Sequence, residues 1–582
     1  MIEAVPERQV GVLERRGRFR VVEPLFERGR RLTVDARAAA RADIGDIVLV
    51  EPGKRGHLQV TRALGRPEVA RDVVEALLVD RGFERLFDEA VEAQASSAAA
   101  ADPGTEARRD LTALATFTID PASARDFDDA ISIERDGDGL RLWVHIADVA
   151  AHVAPGTALD AEAQRRGNSV YVPGAVEPML PTALSSDACS LVPGLPRATV
   201  TVETVLGADV QPRATSFYRS LIISDVRLTY EQVDGVLAGR NEPPGAVAQQ
   251  LALARDLAAA LRKRRFERGA LALETGEPEF EFDEHGHVRS CRDVVQTESH
   301  GLVEEFMILA NELVASQLER RKDPTIYRVH ERPDPVAIEL LVKRLASLDV
   351  PTPPIPEHIT PGQATELAAQ ISSMVADYLA GGGRGSATIT SLVLRSLKRA
   401  VYSTANVGHS GLASPCYCHF TSPIRRYPDL VVHRSLLAAF EGAPRQAPVA
   451  ELERIALHCS RTEREASDVE YKADDICQAF LLERALYDGG WEQEFEGEVS
   501  GVTNGAAFVR FGGLPGSGVC EGFLPARLLR GDWFDLNEEQ TALIGVESGK
   551  RLRIGDPVAV RVRSVDPPRG RVDLEPAGEI WS

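Results

Sequence analysis

Paired cysteines are missing from this chain. Its seven cysteines are scattered, and none stands in a CxxC pair. That favours reduced thiols, as in a cytoplasmic protein, over a disulfide framework. Long apolar runs are missing too. No stretch reaches the roughly 18–20 residues needed to span a bilayer, so no membrane partner is expected. The opening residues, MIEAVPERQVGVLERRGRFR, are charged almost at once and lack the apolar core of a secretory signal. Positive charge is scarce: 67 Lys and Arg against 87 Asp and Glu leave a net −20. Such a balance does not coat nucleic acid through bulk charge, and by itself it favours a metabolic enzyme. It leaves room for an enzyme that confines its arginines to one channel. The glycine-rich stretch Gly381, Gly382, Gly383 and Gly385 lacks the Lys-Ser/Thr of a phosphate loop. It reads as a flexible connection, and no nucleotide cofactor is expected.

What the chain does have is length for several cores. Its 582 residues exceed what one domain usually holds, and the expected class is multidomain α+β. Residues 1–65 read as a small β-rich module, OB-like or winged-helix-like, because GVLERRGRFRVVEPL and DIGDIVLVEPG are apolar strands set off by Gly and Pro. Arg15, Arg16, Arg18, Arg20, Arg28, Arg30 and Arg31 make it the most basic part of the chain, either a solvated face or a nucleic-acid-touching one. Residues 66–107 read as a connector. RPEVARDVVEALLVDRGFERLFDEAVEA has helical spacing, and the Ala- and Ser-rich AQASSAAAADPGTEA reads as a linker or a frayed helix end. Residues 108–487 form the large body, strands first and helices later. Within it 451–485 lacks Pro and Gly and reads as one long helix. Residues 492–582 return to short strands, FEGEVSGV, GAAFVRF, GVCEGFLP, DPVAVRVRSVD and RVDLEP, the pattern of an OB-type barrel. Phe495, Phe508, Phe511 and Phe523, interleaved with Arg510, Arg561 and Arg563, offer stacking faces to bases. At least half of these rings are expected to fill the barrel instead.

The sharpest chemical signal is TIDPASARDFDDA, which puts Asp120, Asp126, Asp128 and Asp129 within ten residues. Four carboxylates this close repel one another unless a cation lies among them. Pro121 and Ser123 favour a turned backbone, so the oxygens can converge. Hard oxygen ligands on a compact loop suit magnesium, one ion or two, and such a centre suits phosphodiester hydrolysis. A surface acidic loop is the plain alternative. The EF-hand spacing is absent, and ASAR before Asp126 is a poor fit to the apolar strand that precedes an aspartyl nucleophile. Cys416, Cys418 and His419, with His409, lack the spacing usual for zinc and read as structural.

That aspartate block is one of several. TIDPASARDFDDAISI, LWVHIADVAAHV, GNSVYVPGAVEPMLPTALSSDACSLVPG, FYRSLIISDVRLTYEQV, LVEEFMILANE, IYRVHERPDP and YCHFTSPIRRYPDLVVHR follow one another across residues 108–485. In that order they resemble the ribonuclease II / ribonuclease R family. The resemblance implies a mixed α/β catalytic domain of the RNB type, flanked by small β-rich nucleic-acid-binding modules, the last an OB domain of the ribosomal-protein type. It implies a monomeric, magnesium-dependent exoribonuclease of the exoribonuclease II type, acting in RNA turnover. Such an enzyme degrades single-stranded RNA processively, from 3′ to 5′ and without sequence preference, into nucleoside 5′-monophosphates.

The same resemblance matches Asp120, Asp126, Asp128 and Asp129 to four catalytic aspartates. Asp120, Asp126 and Asp129 then serve chiefly as metal ligands, and Asp128, also a ligand, matters most for rate. Tyr171 matches a tyrosine that stacks on the terminal base, and Arg425 a catalytic arginine whose guanidinium clamps phosphate oxygens. Arg426 and His433 stand as further substrate contacts against a helix-start salt bridge. Glu470 matches a glutamate near the exiting nucleotide. Pro333 stands where the ribonuclease II branch has a second stacking ring. The N-terminal module lacks a clear cold-shock pattern, and the last barrel is short of basic residues. Because some relatives have lost aspartates and only bind RNA, a catalytically inactive RNA-binding protein is the alternative. Whether a duplex stalls degradation is left open.

Overall fold

A computed structural model describes residues 8–34, 42–53, 58–83, 86–104, 107–272, 276–441, 447–512 and 518–578. The first seven residues of the chain and 105–106 of the Ala-rich connector lie outside them. Strands Gln9–Arg16, Phe19–Pro24, Leu32–Val34, Ile47–Pro52 and Leu58–Gly65 close into a barrel. Alternation along these strands sends Leu13, Val22, Val34, Val48, Val50, Leu58 and Val60 inward. No helix falls between Gln9 and Gly65 among the described residues, so the winged-helix alternative gives way to a barrel. At the first hairpin, Gly17 takes a φ of 62°, and the next residues present an exposed Phe19 ring under the Arg18 guanidinium, 5.0 Å from its centroid.

The connector is two helices rather than one helix and a linker: Ala70–Asp80 and Glu89–Ala100. The first stops at Arg81, just before Gly82, whose φ of 81° no helix accommodates. Of the two readings of the Ala-rich run, linker or helix end, the second is the nearer: the run forms most of the second helix. Alanine is the best helix former, and Val91 and Ala95 bury one face of that helix.

The large body is built on a seven-stranded sheet. Its order is Val226–Thr229, Phe117–Asp120, Asp129–Asp136, Gly139–Ala147, Pro196–Leu206, Pro212–Ile223 and Arg109–Asp110. The interior pairs are antiparallel and the two outermost are parallel. One face packs against Ala248–Glu267, Glu298–Arg321 and Tyr427–Glu441 through Phe117, Ile131, Ile146, Leu257, Phe306 and Leu436. The other buries Trp143, Met179, Leu184 and Tyr427. Inside the sheet a buried polar ladder crosses the strands. Thr116 bonds Ser132 at 2.7 Å, Ser132 bonds His145 at 3.1 Å, His145 bonds Thr201 at 2.9 Å and Thr201 bonds Ser220 at 2.6 Å. Burial pushes the His145 imidazole down to about 3, so a neutral ring with both nitrogens satisfied fits the dry interior.

The predicted long helix spans Val449–Gly489, 41 residues or about 60 Å. Its buried residues enter three cores in turn. Leu452 and Cys459 pack in the body, Ala473 and Cys477 with the first barrel, and Leu482 and Leu486 with the last. The last barrel closes from Glu494–Thr503, Ala506–Phe511, Cys520–Pro525, Pro557–Asp566 and Arg571–Pro576. Phe495 and Phe511 fill it, whereas Phe508 and Phe523 pair outside at 5.8 Å with Phe523 exposed. A three-stranded sheet, Phe534–Leu536, Ala542–Gly545 and Arg551–Arg553, interrupts it. This inserted sheet docks on the body through Arg344 to the Glu539 carbonyl at 3.0 Å and Arg553 to Asp349 at 2.8 Å.

Candidate active site

The aspartates gather where two neighbouring strands end and begin. Asp120 closes the strand Phe117–Asp120, Asp129 opens Asp129–Asp136, and the loop between them carries Asp126 and Asp128. The Ala124 N–H turns back to the Pro121 carbonyl at 3.1 Å, as the proline requires. Asp128 is only 4% exposed. One of its oxygens accepts the Ile424 N–H at 2.9 Å, and the other lies 3.7 Å from Arg425 Nε.

Burial dominates the chemistry of this group. It pushes Asp128 well above the ordinary carboxylate value, with Arg425 opposing. It raises Asp120 to about 6 and Asp129 to about 7, and the charge of Asp120 adds to the rise of Asp129. Carboxyls so placed hold protons near neutrality unless a cation replaces them.

Tyr171, from the strand Val170–Val172, is 40% exposed. Its hydroxyl donates to Asp126 Oδ2 at 3.0 Å, and its backbone N–H donates to Glu470 Oε1 at 2.8 Å. Glu470 reaches it from the long helix, which fixes the strand against the body. Arg425 lies in the segment before Tyr427–Glu441 with a half-open side chain, which among the described residues bonds Ser422 Oγ at 3.2 Å beside its approach to Asp128. Its carbonyl accepts the Ser169 N–H at 2.9 Å and so ties the arginine segment to the Tyr171 strand. Asp120, Asp126, Asp128, Asp129, Tyr171, Arg425 and Glu470 thus form one connected group.

Arg426 does not join it. Both arms of its fork are taken by Asp429, each at 2.8 Å, so the salt-bridge reading replaces substrate contact. His433 is fully buried, bonds the Phe420 carbonyl at 2.8 Å and stacks on that ring at 4.2 Å, a packing role. Pro333 is buried and offers no face to a base. Cys416 and Cys418 are buried, His419 is half-buried, and the Tyr402 hydroxyl lies 2.8 Å from His419 Nδ1.

Sequence reasoning passed over three residues that the fold brings here. Tyr230 follows Thr229, which stands opposite Asp120 in the parallel pair. Burial, with Asp129 and Asp120 adding to it, holds its phenol above the usual value, and its ring stacks on His300 at 3.8 Å. Arg227 and Ser190 bond the backbone of the aspartate loop itself. Tyr230 and Arg227 lie in the block FYRSLIISDVRLTYEQV, so the signal was present without a role attached.

A magnesium centre fits these residues. Asp120 Oδ2 is buried without a hydrogen-bond partner, and two neighbouring carboxyls are raised by burial and mutual repulsion. Among the described residues, no three His, Cys, Asp or Glu side chains are drawn together closely enough to hold a metal ion. What fits magnesium is the chemistry of the donors, hard carboxylate oxygens of the kind it takes alongside waters and substrate oxygens.

Residues 108–442 match the family described as the RNB domain, and 491–575 match the S1 RNA binding domain. Ribonuclease R of Aquifex aeolicus (strain VF5) is 33% identical over 570 residues, 95% of this chain and 78% of that protein. Ribonuclease R of Escherichia coli (strain K12) is 33% identical over 562 residues, covering 92% of this chain but 66% of its own length. The solved structure of Mycoplasma genitalium RNase R in complex with ribose methylated single-stranded RNA superposes with a TM-score of 0.87. It is 26% identical and covers 99% of this chain and 90% of that one.

Proposed function

The chain belongs to the ribonuclease II / ribonuclease R family of RNB-domain proteins, and from that premise we propose that it is a magnesium-dependent exoribonuclease. It takes single-stranded RNA at the 3′ end and releases nucleoside 5′-monophosphates, processively and without sequence preference. The observation that carries this reading is the group of four aspartates, Tyr171, Arg425 and Glu470, brought together from segments up to 299 residues apart: hydrogen bonds join Glu470, Tyr171 and Asp126, Arg425 approaches Asp128, and charge couples Asp120 to Asp129.

Asp120, Asp126 and Asp129, with Asp128, would hold one or two magnesium ions. These supply charge neutralisation at the phosphate and an activated water. The chain's own groups do the rest. Arg425 has a free arm for a phosphate oxygen because Asp128 and Ser422 engage only part of its fork. The exposed Tyr171 ring stacks the terminal base, and its hydroxyl, anchored on Asp126, fixes that base relative to the aspartates. Glu470 holds the Tyr171 backbone, so the stacking face cannot drift along the strand. Outside the site, the Phe508 and Phe523 pair and the Arg18 and Phe19 hairpin offer ring and guanidinium surfaces to the upstream strand.

End-labelled single-stranded RNA, incubated with and without Mg²⁺, tests the reading. Stepwise loss from the 3′ end with mononucleotide product, only in Mg²⁺, is the expected result. RNA that is retained but never shortened would instead identify a binding protein of the same fold.

A further inference from the structure

We propose that Arg227 is a positioning residue that, together with Ser190, clamps the aspartate loop in the shape a divalent cation requires. This rests on the metal-site reading of the aspartates given above.

The loop between Asp120 and Asp129 gathers four carboxylates that push one another apart. Among its neighbours, two side chains resist that push by bonding the loop's backbone. Arg227 Nη2 donates to the Pro121 carbonyl at 2.7 Å and to the Ala122 carbonyl at 3.0 Å, at the start of the loop. The same guanidinium lies 5.0 Å from the centroid of the buried Phe127 ring, between Asp126 and Asp128 at the loop's far end. One planar group therefore touches both ends. Strand register fixes its position: Arg227 stands opposite Thr118, and Thr229 opposite Asp120, in the parallel pair that edges the sheet. Its Nε is buried without a hydrogen-bond partner, and its charge also acts on the neighbouring Asp120.

Ser190 grips the same loop from the opposite direction. Fully buried, its hydroxyl donates to the Arg125 carbonyl at 2.8 Å and accepts the Phe127 N–H at 3.0 Å. The next residue adds a bond from the Leu191 N–H to the Phe127 carbonyl, also 3.0 Å. With residues 121–122 held by Arg227 and 125–127 held by Ser190, Asp126 and Asp128 project from a backbone fixed on both sides. Lysine has neither the two-pronged donor nor the flat face for Phe127, so it replaces Arg227 only in part.

The test uses the full chain with Arg227→Gln, Arg227→Lys and Ser190→Ala. Calorimetry with Mn²⁺ alone reads the loop directly, without RNA. RNA retention in EDTA checks that the fold and the RNA path survive. Mg²⁺-dependent shortening gives kcat and KM. Arg227→Gln should weaken Mn²⁺ binding about 10–100-fold and lower kcat in proportion, as loss of support around metal ligands does. KM and RNA retention in EDTA should stay within about two-fold. Arg227→Lys should recover part of both losses, and Ser190→Ala should shift them the same way. Mn²⁺ affinity within about two-fold of wild type in Arg227→Gln overturns the proposal, as does a wild-type chain that binds no Mn²⁺. If wild type binds Mn²⁺ but never shortens RNA, the nuclease reading falls while the Mn²⁺ titration still decides the clamp. Should Arg227→Gln fail to retain RNA in EDTA, Ser190→Ala carries the decision by the same readings.

Discussion

Replacing Asp129 with Asn removes a charge while keeping the shape, and the structure sets the size of the effect. Burial and the facing Asp120 hold the Asp129 carboxyl at about 7 against an ordinary 3.8. A group raised in this way contributes its full stability only below 3.8, where it is protonated in both states. That stability is lost as pH climbs through about 7. At neutral pH the ionised form therefore costs the fold on the order of 4 kcal/mol, at about 1.36 kcal/mol per tenfold change. Asn carries no such cost. In EDTA, Asp129→Asn should match wild type near about pH 4 and melt higher by on the order of 5 °C at neutral pH, for a domain the size of residues 108–442.

The difference between the two proteins is the quantity to read, because other buried groups tilt the absolute curve in both directions, Asp474 and Asp475 being raised by burial as Asp129 is. Buried His145 and His409, both pushed down to about 3, take up protons on unfolding below about 6.5 and favour the fold as pH rises. That contribution is common to both proteins and cancels. Excess Mg²⁺ should reverse the order, because the ion replaces the missing proton on wild type and finds one ligand fewer on the variant. Scanning fluorimetry over this range measures it. An Asp129→Asn chain that melts at or below wild type in EDTA at neutral pH refutes the reasoning.

Three further outcomes follow from the same geometry. Asp128→Asn keeps an acceptor for the Ile424 N–H but not the charge; shortening of labelled RNA should fall by on the order of 10²-fold or more while filter binding is unchanged. Tyr171→Phe loses the bond to Asp126 and keeps the ring, so kcat should fall with little change in KM. Tyr171→Ala also gives up stacking worth about 1–3 kcal/mol and should raise KM as well. Removing Phe508 and Phe523 together should weaken RNA retention by about 1–3 kcal/mol per lost stack without lowering the melting temperature much. Phe511→Ala, deep in the same barrel, should instead cost about 3–5 kcal/mol of stability.

How much of this could be read from the sequence depended on distance along the chain. The four aspartates fall within ten residues, so their convergence was a local question that a proline and a serine could answer. The long helix announced itself by lacking Pro and Gly over 451–485, and the strands of the last barrel by their period. Tyr171 and Glu470, 299 residues apart, share a hydrogen bond that no spacing rule contains; only the family resemblance put both in the site. For Arg426 the sequence leaves substrate contact and a helix-start salt bridge both open, because adjacent arginines look alike and which one a carboxylate captures depends on where Asp429 falls on the helix turn. Arg227 was silent for a similar reason. Its partners are backbone carbonyls, which every residue carries. The inserted sheet escaped notice because its strands are only three or four residues long.

The helix Val449–Gly489 also works as a ruler. Each residue along it advances 1.5 Å and turns about 100°. Adding one residue between Glu470 and Leu482 would swing the final barrel through slightly more than a right angle while leaving the Tyr171 anchor where it is. Length changes in this stretch are therefore close to forbidden, whereas point substitutions on its solvent side, at Leu457 or Tyr487, cost little. Evolution of this chain has freedom in what the rod displays and almost none in how long it is.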